Sequence, residues 1–558
     1  MKFDDVLVHL GEFGWYQKRL YFLVCIPSML SALQSLSVIF QLDIPSHRCS
    51  LGPNDTYQVQ DAHHSYLINM SIPWEADRDK QVLSSCKLYQ HPQNGSHSNN
   101  STTPCSSWVF DRSTYESTLT EEFNIVCEDR VLRSHTNMAG SAGQLVGAFL
   151  MGLLSDIFGR RPLFLFNLIM EAVLGISTAF APNVYVFMVF RALGNMCRIA
   201  SFTCAFVLAM ELTGPSKRVF VGIVIEIYWC MGLFTLGLIA YFVRHWQTLQ
   251  LIAAAPTTLY FLFYWIVPES PRWLISRGRI PEAQAIIQKV ASVNGVKLPD
   301  GVLEKVTVDD QEKAVRVTQM FTTPYLLFIT LIIFYNWFVA SVVYYGLGLN
   351  VQNLSGDIYV NFTIANIVEL ASYIMCVTLL NRLGRKFLQC GCMLLGGIAC
   401  VTTMFPVIYG NSSLDWVTVA LSMVGKFGAS GAFAIVFVYT AELFPTVVRN
   451  SGVGVSSFFA RIGGMVSPYI ADLGVLVGGD LKVALPLIVF GGLSIVAGLL
   501  TLFLPETLKR RLPETIEDAK NMRNSSRKTN YPMGQTSQQP DISSVKLENF
   551  KSRVLNKF

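Results

Sequence analysis

The chain has 558 residues, is 51% apolar and only 15% charged, and carries a formal net charge of +5. Ordinary globular proteins hold roughly 25% charged residues, so this composition excludes a string of soluble domains, and the small positive balance is no nucleic-acid footprint. Mean hydropathy is +0.41. Apolar stretches of about 20 residues recur, each long enough for a hydrocarbon core of about 30 Å. Backbone in lipid must satisfy its own hydrogen bonds, so such stretches are helices. The expectation is an all-α polytopic membrane protein.

Residues 1–18 lack the apolar region of a signal peptide, Lys18-Arg19 flank the first apolar run directly, and 1–19 is expected to be a cytoplasmic N-terminus. Spans are expected at 20–41, 138–158, 162–182, 184–210, 219–243 and 247–267, then at 324–349, 358–380, 387–409, 415–440, 450–476 and 484–504. Twelve spans put both termini on one side. Loops on that side carry Arg160-Arg161, Lys217-Arg218, Arg382, Arg385-Lys386, Arg449 and Lys509-Arg510-Arg511. The opposite loops of the second half carry mainly Asp357, Asp415, Asp472 and Asp480. By the positive-inside rule the termini are cytoplasmic.

Residues 42–137 are too polar to cross and too long for an ordinary connection. They hold N-x-S/T sequons at Asn54, Asn69, Asn94, Asn99 and Asn100, together with Cys49, Cys86, Cys105 and Cys127. An even cysteine count beside glycosylation acceptors reads as an oxidised extracellular loop with two disulfides, of three possible connectivities. The other eight cysteines lie in apolar spans and read as small packing residues. Residues 268–322 form a long cytoplasmic connection, in which PEAQAIIQKVASVNG, opened by Pro281, reads as an amphipathic helix. The cytoplasmic tail, 506–558, is Ser-, Asn-, Gln- and Lys-rich from 513 and reads as mostly disordered.

Three landmarks occur twice in the same order. Asp156 with Gly159-Arg160-Arg161 answers to Gly384-Arg385-Lys386, Glu211…Arg218 to Glu442…Arg449, and Pro268-Glu269 to Pro505-Glu506, at offsets of 225, 231 and 237 residues. The spacing predicts two six-helix pseudo-repeats, 20–267 and 323–505. Parallel repeats with a site at their interface are a common build of secondary transporters. Asp156, Arg160, Glu211, Arg218, Glu269, Arg385, Glu442 and Arg449 are therefore expected to form charge clasps that join the halves on the cytoplasmic side and release as they rock. Ordinary loop charge is the simpler alternative.

Neither a P-loop nor metal-ligand spacing occurs, and no acid/base constellation converges, so an enzyme is not expected and recognition is the chemistry to argue. Phe334, Trp337, Ser341 and Tyr344 share one face of the seventh span. Aromatic faces attract alkylammonium groups by roughly 0.5–2 kcal/mol each, although such a stripe also arises from plain packing. Glu369 and Arg461 lie roughly 16–18 Å deep. They either neutralise each other or form a zwitterion site, with Arg461 for a carboxylate and Glu369 for an amine. Arg198, in the fourth span, adds to an anion-binding surface or pairs with Glu171 or Glu226.

The segments DIFGRRP, PESPRWLISRGR and above all VYTAELFPTVVRNSGVGVSS resemble the major facilitator superfamily. Within it they are similar to the organic cation, carnitine and organic anion transporters of solute carrier family 22. LGEFGWYQ, Cys127-Glu-Asp129 and NLSGDIYVN fit as well, and the likeness spans about residues 8–512. GKFG, the VYTAELFPTVVRN stretch and the downstream SPY look most like the carnitine and zwitterion branch. The resemblance implies that Trp337 and Tyr344 line the substrate cavity, and that arginine at 461 favours anion or zwitterion carriers while Glu369 opposes a plain anion carrier. Sodium-coupled carnitine carriers tend to have amides where Ser31 and Ser201 stand, so a coupling ion, sodium or proton, stays open. The expected function is alternating-access transport of small organic cations or zwitterions, carnitine-like quaternary ammonium compounds included, across the plasma membrane, without a cofactor or nucleic acid. An organic-anion exchanger and a non-transporting sensor that keeps the fold are the alternatives.

Overall fold

The computed structural model describes residues 3–77, 80–90, 101–214, 217–297, 324–410, 412–445, 449–477 and 484–508. A short helix, α1 (Phe3–His9), precedes six rods: α2 (Trp15–Gln41), α3 (Val131–Phe158), α4 (Arg160–Thr178), α5 (Val184–Glu211), α6 (Arg218–Phe242) and α7 (Trp246–Ile266). A connector helix follows, α8 (Ile280–Asn294). Six more rods complete the bundle: α9 (Pro324–Asn350), α10 (Ile358–Leu383), α11 (Arg385–Tyr409), α12 (Asp415–Leu443), α13 (Arg449–Val477) and α14 (Ala484–Thr501). Among the described residues, ten of these rods are long and apolar enough to cross a membrane.

Local chemistry explains several boundaries. The Asn183 side chain caps α5 by accepting from the Val186 N–H, and Asp357 caps α10 by accepting from Tyr359 and Val360. In α7 the α-helix gives way to a 3-10 stretch at Ala255–Leu262, where Pro256 contributes no N–H. The connector helix α8 buries Ala283, Ile287, Val290 and Ala291 against Phe3, Val6, Leu7 and Leu10 of the N-terminal segment. This is the amphipathic helix expected there. Residues 298–323 and the tail from 509 lie outside the described residues.

The duplication extends to individual hydrogen bonds. Arg160 and Arg161 open α4, and their backbone N–H groups donate to Glu269 at 3.0 and 3.2 Å. Arg385 and Lys386 open α11, and theirs donate to Glu506 at 3.0 and 3.1 Å. Arg160 pairs with Glu211 at 3.5 Å and Arg385 with Glu442 at 2.9 Å. The same guanidinium groups donate to the carbonyls of Ser155 and Leu380. Glu269 and Glu506 thus satisfy orphan donors at a helix N-terminus and complement its dipole.

Between described residues, the ion pairs and hydrogen bonds of the expected cytoplasmic clasps therefore join helices within one half. The reason is proximity: each acid follows the last rod of its own half or ends a neighbouring one. The side chains of Asp156, Arg218 and Arg449 lie outside the described ones.

Packing repeats too. In the first half α3 lies on α5 and α2 on α6; in the second, α10 lies on α12 and α9 on α13. The halves meet where α3 packs on α13 and where α6 packs on α10, two seams that the repeat makes equivalent. At the end near the 42–137 loop, Ser134 donates to Asp472 at 2.5 Å and Arg133 pairs with Asp472 at 3.8 Å. Gln352 accepts from Arg133 and donates to the Ile39 carbonyl. Phe40 stacks on Tyr359 with centroids 5.5 Å apart and meets Phe362 edge-on. Between described residues, the hydrogen bonds, ion pairs and ring contacts that cross between halves lie toward this end or at mid-depth.

Among its described residues the loop carries three short antiparallel ladders, pairing His47–Cys49 with Trp108–Phe110, Trp74–Asp77 with Lys80–Leu83, and Lys87–Tyr89 with Thr102–Pro104. Disulfides join Cys49 to Cys105 and Cys86 to Cys127, while the remaining eight cysteines are buried and outside any disulfide. Asn54 and Asn69 are exposed; Asn94, Asn99 and Asn100 lie outside the described residues.

Gly159 and Gly384 have φ of +104° and +93°. A Cβ at either would stand 2.5 Å from a carboxylate oxygen of Glu269 or Glu506. Such backbone costs about 1–3 kcal/mol for a non-glycine residue. Gly159→Ala and Gly384→Ala should each lower thermal stability of the detergent-purified protein and reduce surface expression. Melting curves unchanged from wild type would contradict this account of the two turns.

Candidate substrate site

A charge at bilayer depth must find a partner or face a cavity. In the second half Glu369 of α10 is fully buried, and its Oε2 lies 2.9 Å from the Lys426 ammonium of α12. Its other oxygen accepts from the Tyr344 and Tyr373 hydroxyls at 2.7 and 3.1 Å. The same ammonium lies 3.8 Å from the centroid of the Tyr344 ring, which stacks on Phe433 at 5.2 Å. The carboxylate and aromatic ring expected to receive an amine thus hold the protein's own ammonium. The expected mutual neutralisation of Glu369 by Arg461 is corrected accordingly: α10 packs along α12, whereas Arg461 rides on α13, which packs along α9.

The first half solves the problem in its own way. Arg198 of α5 lies 3.4 Å from Glu171 of α4, which also accepts from Ser31 at 2.9 Å and Ser201 at 3.2 Å. Arg198 donates further to Gln34 at 2.8 Å and to Asn195. Of the two acids open to it, the structure selects Glu171, because α4 lies alongside α5. Arg198 is therefore spent inside the first half.

The aromatic face of α9 divides. Phe334 stacks on Phe459 at 4.5 Å. Trp337 has no exposed surface, donates its indole N–H to Thr440 at 2.8 Å, and packs on Phe437. Both belong to the core of the second half. Tyr344 serves the Glu369–Lys426 pair. Ser341 is buried beside Gly463 and Gly464 of α13, and its hydroxyl has no hydrogen-bond partner among the described residues. Arg461 is half-buried on the same helix, forms no ion pair among the described residues, and its Nε likewise lacks a partner.

Lys426 was not singled out from sequence. The signal was available, since a lysine in the middle of the apolar run Val424–Ala432 is as anomalous as Arg461. The aromatic stripe of α9 points to π-faces and carries no sign of the cation that α12 brings to it.

The family described as "Sugar (and other) transporter" matches residues 85–518. The "Organic cation transporter protein" of Drosophila melanogaster is 38% identical over 539 residues, covering 93% of this chain and 95% of its own. "Solute carrier family 22 member 21" of Mus musculus is 34% identical, covering 94% of each chain. The chain belongs to solute carrier family 22, within the major facilitator superfamily. The "Organic cation/carnitine transporter 2" of Homo sapiens is 34% identical over 92% of this chain and 93% of its own. The xylose transporter XylE of E. coli, in a partially occluded inward-open conformation, superposes with a TM-score of 0.59 at 14% identity. It covers 89% of this chain and all of its own, and it shares the fold. Membership confirms a multi-pass transporter of major facilitator fold, not an enzyme.

In this solute carrier family 22 member, removing one partner of the buried Glu369–Lys426 pair strands the other. Such losses cost about 3–5 kcal/mol, whereas removing both partners is often close to neutral. Lys426→Met should therefore be severely destabilised, and Glu369→Gln combined with Lys426→Met should recover most of the loss. A double variant as unstable as Lys426→Met alone would show that the two groups are not coupled. Thermal unfolding of all three purified variants reads this directly.

Proposed function

We propose that the protein is a plasma-membrane secondary transporter for small organic cations or zwitterions, with both termini cytoplasmic and the 42–137 loop outside. The observation that carries the zwitterion reading is Arg461: a half-buried charge at membrane depth that no described residue neutralises, with the unpartnered Ser341 hydroxyl on the helix packed against its own. A guanidinium in that setting suits a carboxylate, with which it makes short charge-assisted hydrogen bonds. The names of the relatives, organic cation and organic cation/carnitine transporters, support the ammonium part of the substrate. The two disulfides support an oxidising compartment around the loop.

Alternating access then consists of rocking two halves, each held as a unit by its own Arg160–Glu211 or Arg385–Glu442 clamp. Asp156, Arg218, Glu269 and Arg449 are assigned to the same gating apparatus. The contacts of Arg133, Ser134, Gln352 and Asp472 are those that must part for the loop side to open.

Arg461→Asp should abolish uptake of L-carnitine while tetraethylammonium is carried as well or better, a shift in discrimination of several kcal/mol from one lost partner and one added repulsion. Both substrates are measured on the same cells, normalised to surface-labelled protein. Equal loss of both would remove the carboxylate role from Arg461.

A further inference from the structure

Three carboxylates lie well inside the spanning rods, at positions 171, 226 and 369. Two are neutralised within their own halves, Glu171 by Arg198 and Glu369 by Lys426. Glu226 is different. It lies eight residues from the Arg218 end of α6, roughly 12 Å along the helix. It is half-buried, and among the described residues it has neither an ion pair nor a hydrogen bond. Its surroundings are interior: Glu226 is within electrostatic range of Tyr21 on α2, Cys230 one turn along α6, and Tyr373 and Glu369 on α10.

These neighbours place Glu226 where α6 meets α2 within its half and α10 across the seam. A carboxylate at this depth is costly unless it faces a cavity or a cation. The deep cations do not supply one among the described residues: Lys426 is taken by Glu369 and Arg198 by Glu171, Arg191 lies near the Val184 end of α5, opposite to the Arg218 end of α6, and donates to the Ser35 carbonyl, and Arg461 stands on α13, the helix of the other seam. The nearby Tyr21 and Tyr373 are buried, and their hydroxyls donate to the Val221 carbonyl and to Glu369, so neither neutralises Glu226.

We propose that Glu226, and not Glu369, is the specificity-determining carboxylate that receives the positively charged group of the substrate. This rests on the transport reading above and deepens it. The substrate class is a small organic ammonium compound, bound with its cation toward the α6–α10 seam. Where the compound also carries a carboxylate, that group lies toward Arg461 and the α3–α13 seam. Glu226 and Arg461 stand on the two seams that the halves share, so a zwitterion bound between them touches both halves at once.

The test uses the full chain, with Glu226→Gln and Glu226→Asp. In cells, KM and Vmax are measured for tetraethylammonium and L-carnitine, normalised to surface protein; in detergent, binding of tetraethylammonium and of hexanoate is read from thermal shifts. Glu226→Gln should weaken tetraethylammonium roughly tenfold or more, about 1.4 kcal/mol per tenfold, with hexanoate unchanged. Glu226→Asp, which keeps the charge, should restore most of the affinity, and it carries the test if Glu226→Gln fails to reach the surface. Unchanged tetraethylammonium affinity in Glu226→Gln, or equal weakening of tetraethylammonium and hexanoate in either variant, would overturn the assignment while leaving the transport reading intact. A wild-type protein that neither binds nor carries tetraethylammonium or L-carnitine would instead defeat the transport reading, and the assignment with it.

Discussion

An ionised side chain in hydrocarbon must be compensated, and this constraint sorts the interior of the protein more sharply than hydrophobicity does. Apolar side chains pack almost anywhere in a bundle whose surroundings are as apolar as its core. A buried carboxylate does not have that freedom. Glu369 is held by an ammonium and two phenols, and Glu171 by a guanidinium and two hydroxyls. Each constellation ties helices of one half together, and Glu369 also accepts from the Cys230 thiol of the other half at 4.0 Å. Because such pairs are expensive to break, they fix which helices move as one body. They also leave Glu226 and Arg461 half-buried without an ion pair among the described residues.

The same logic operates at the helix ends opposite the loop. Glu269 and Glu506 cap the N-termini of α4 and α11 and secure the turns made by Gly159 and Gly384. Arg160 and Arg385 reach across to the ends of α5 and α12. Charges that look from sequence like a latch between halves thus serve in this conformation as braces inside each half. The contacts between halves are of another kind, aromatic stacking and a few polar groups around Asp472 and Gln352. A bundle with internally braced halves and lighter seams is built to rock as two bodies.

The aromatic stripe of α9 shows how a local pattern misleads. Phe334, Trp337, Ser341 and Tyr344 do share a helical face, and all are buried. Helical spacing, however, says only that side chains point the same way, not what they meet. Trp337 meets Thr440 and Phe437, Phe334 meets Phe459, and Tyr344 meets a lysine. The ring that was to attract a substrate ammonium already carries one from the protein.

The sequence alone determined much. Apolar runs locate the twelve rods, ten of which are long and apolar enough to cross a membrane among the described residues, although α3 begins at Val131, ahead of its expected start at 138. The three doubled motifs specify two equivalent halves, and segments such as VYTAELFPTVVRN place the chain in its family. The four loop cysteines were legible as a disulfide set, but their pairing as Cys49–Cys105 and Cys86–Cys127 was not. Nor was the choice of Lys426 over Arg461 for Glu369, or of Glu171 over Glu226 for Arg198. These choices belong to tertiary structure for one reason. A pair in a low-dielectric interior depends on distances of a few ångströms between side chains on different helices. Those distances are set by which rods lie side by side, α12 against α10 and α4 against α5, and no periodicity within one rod contains that information.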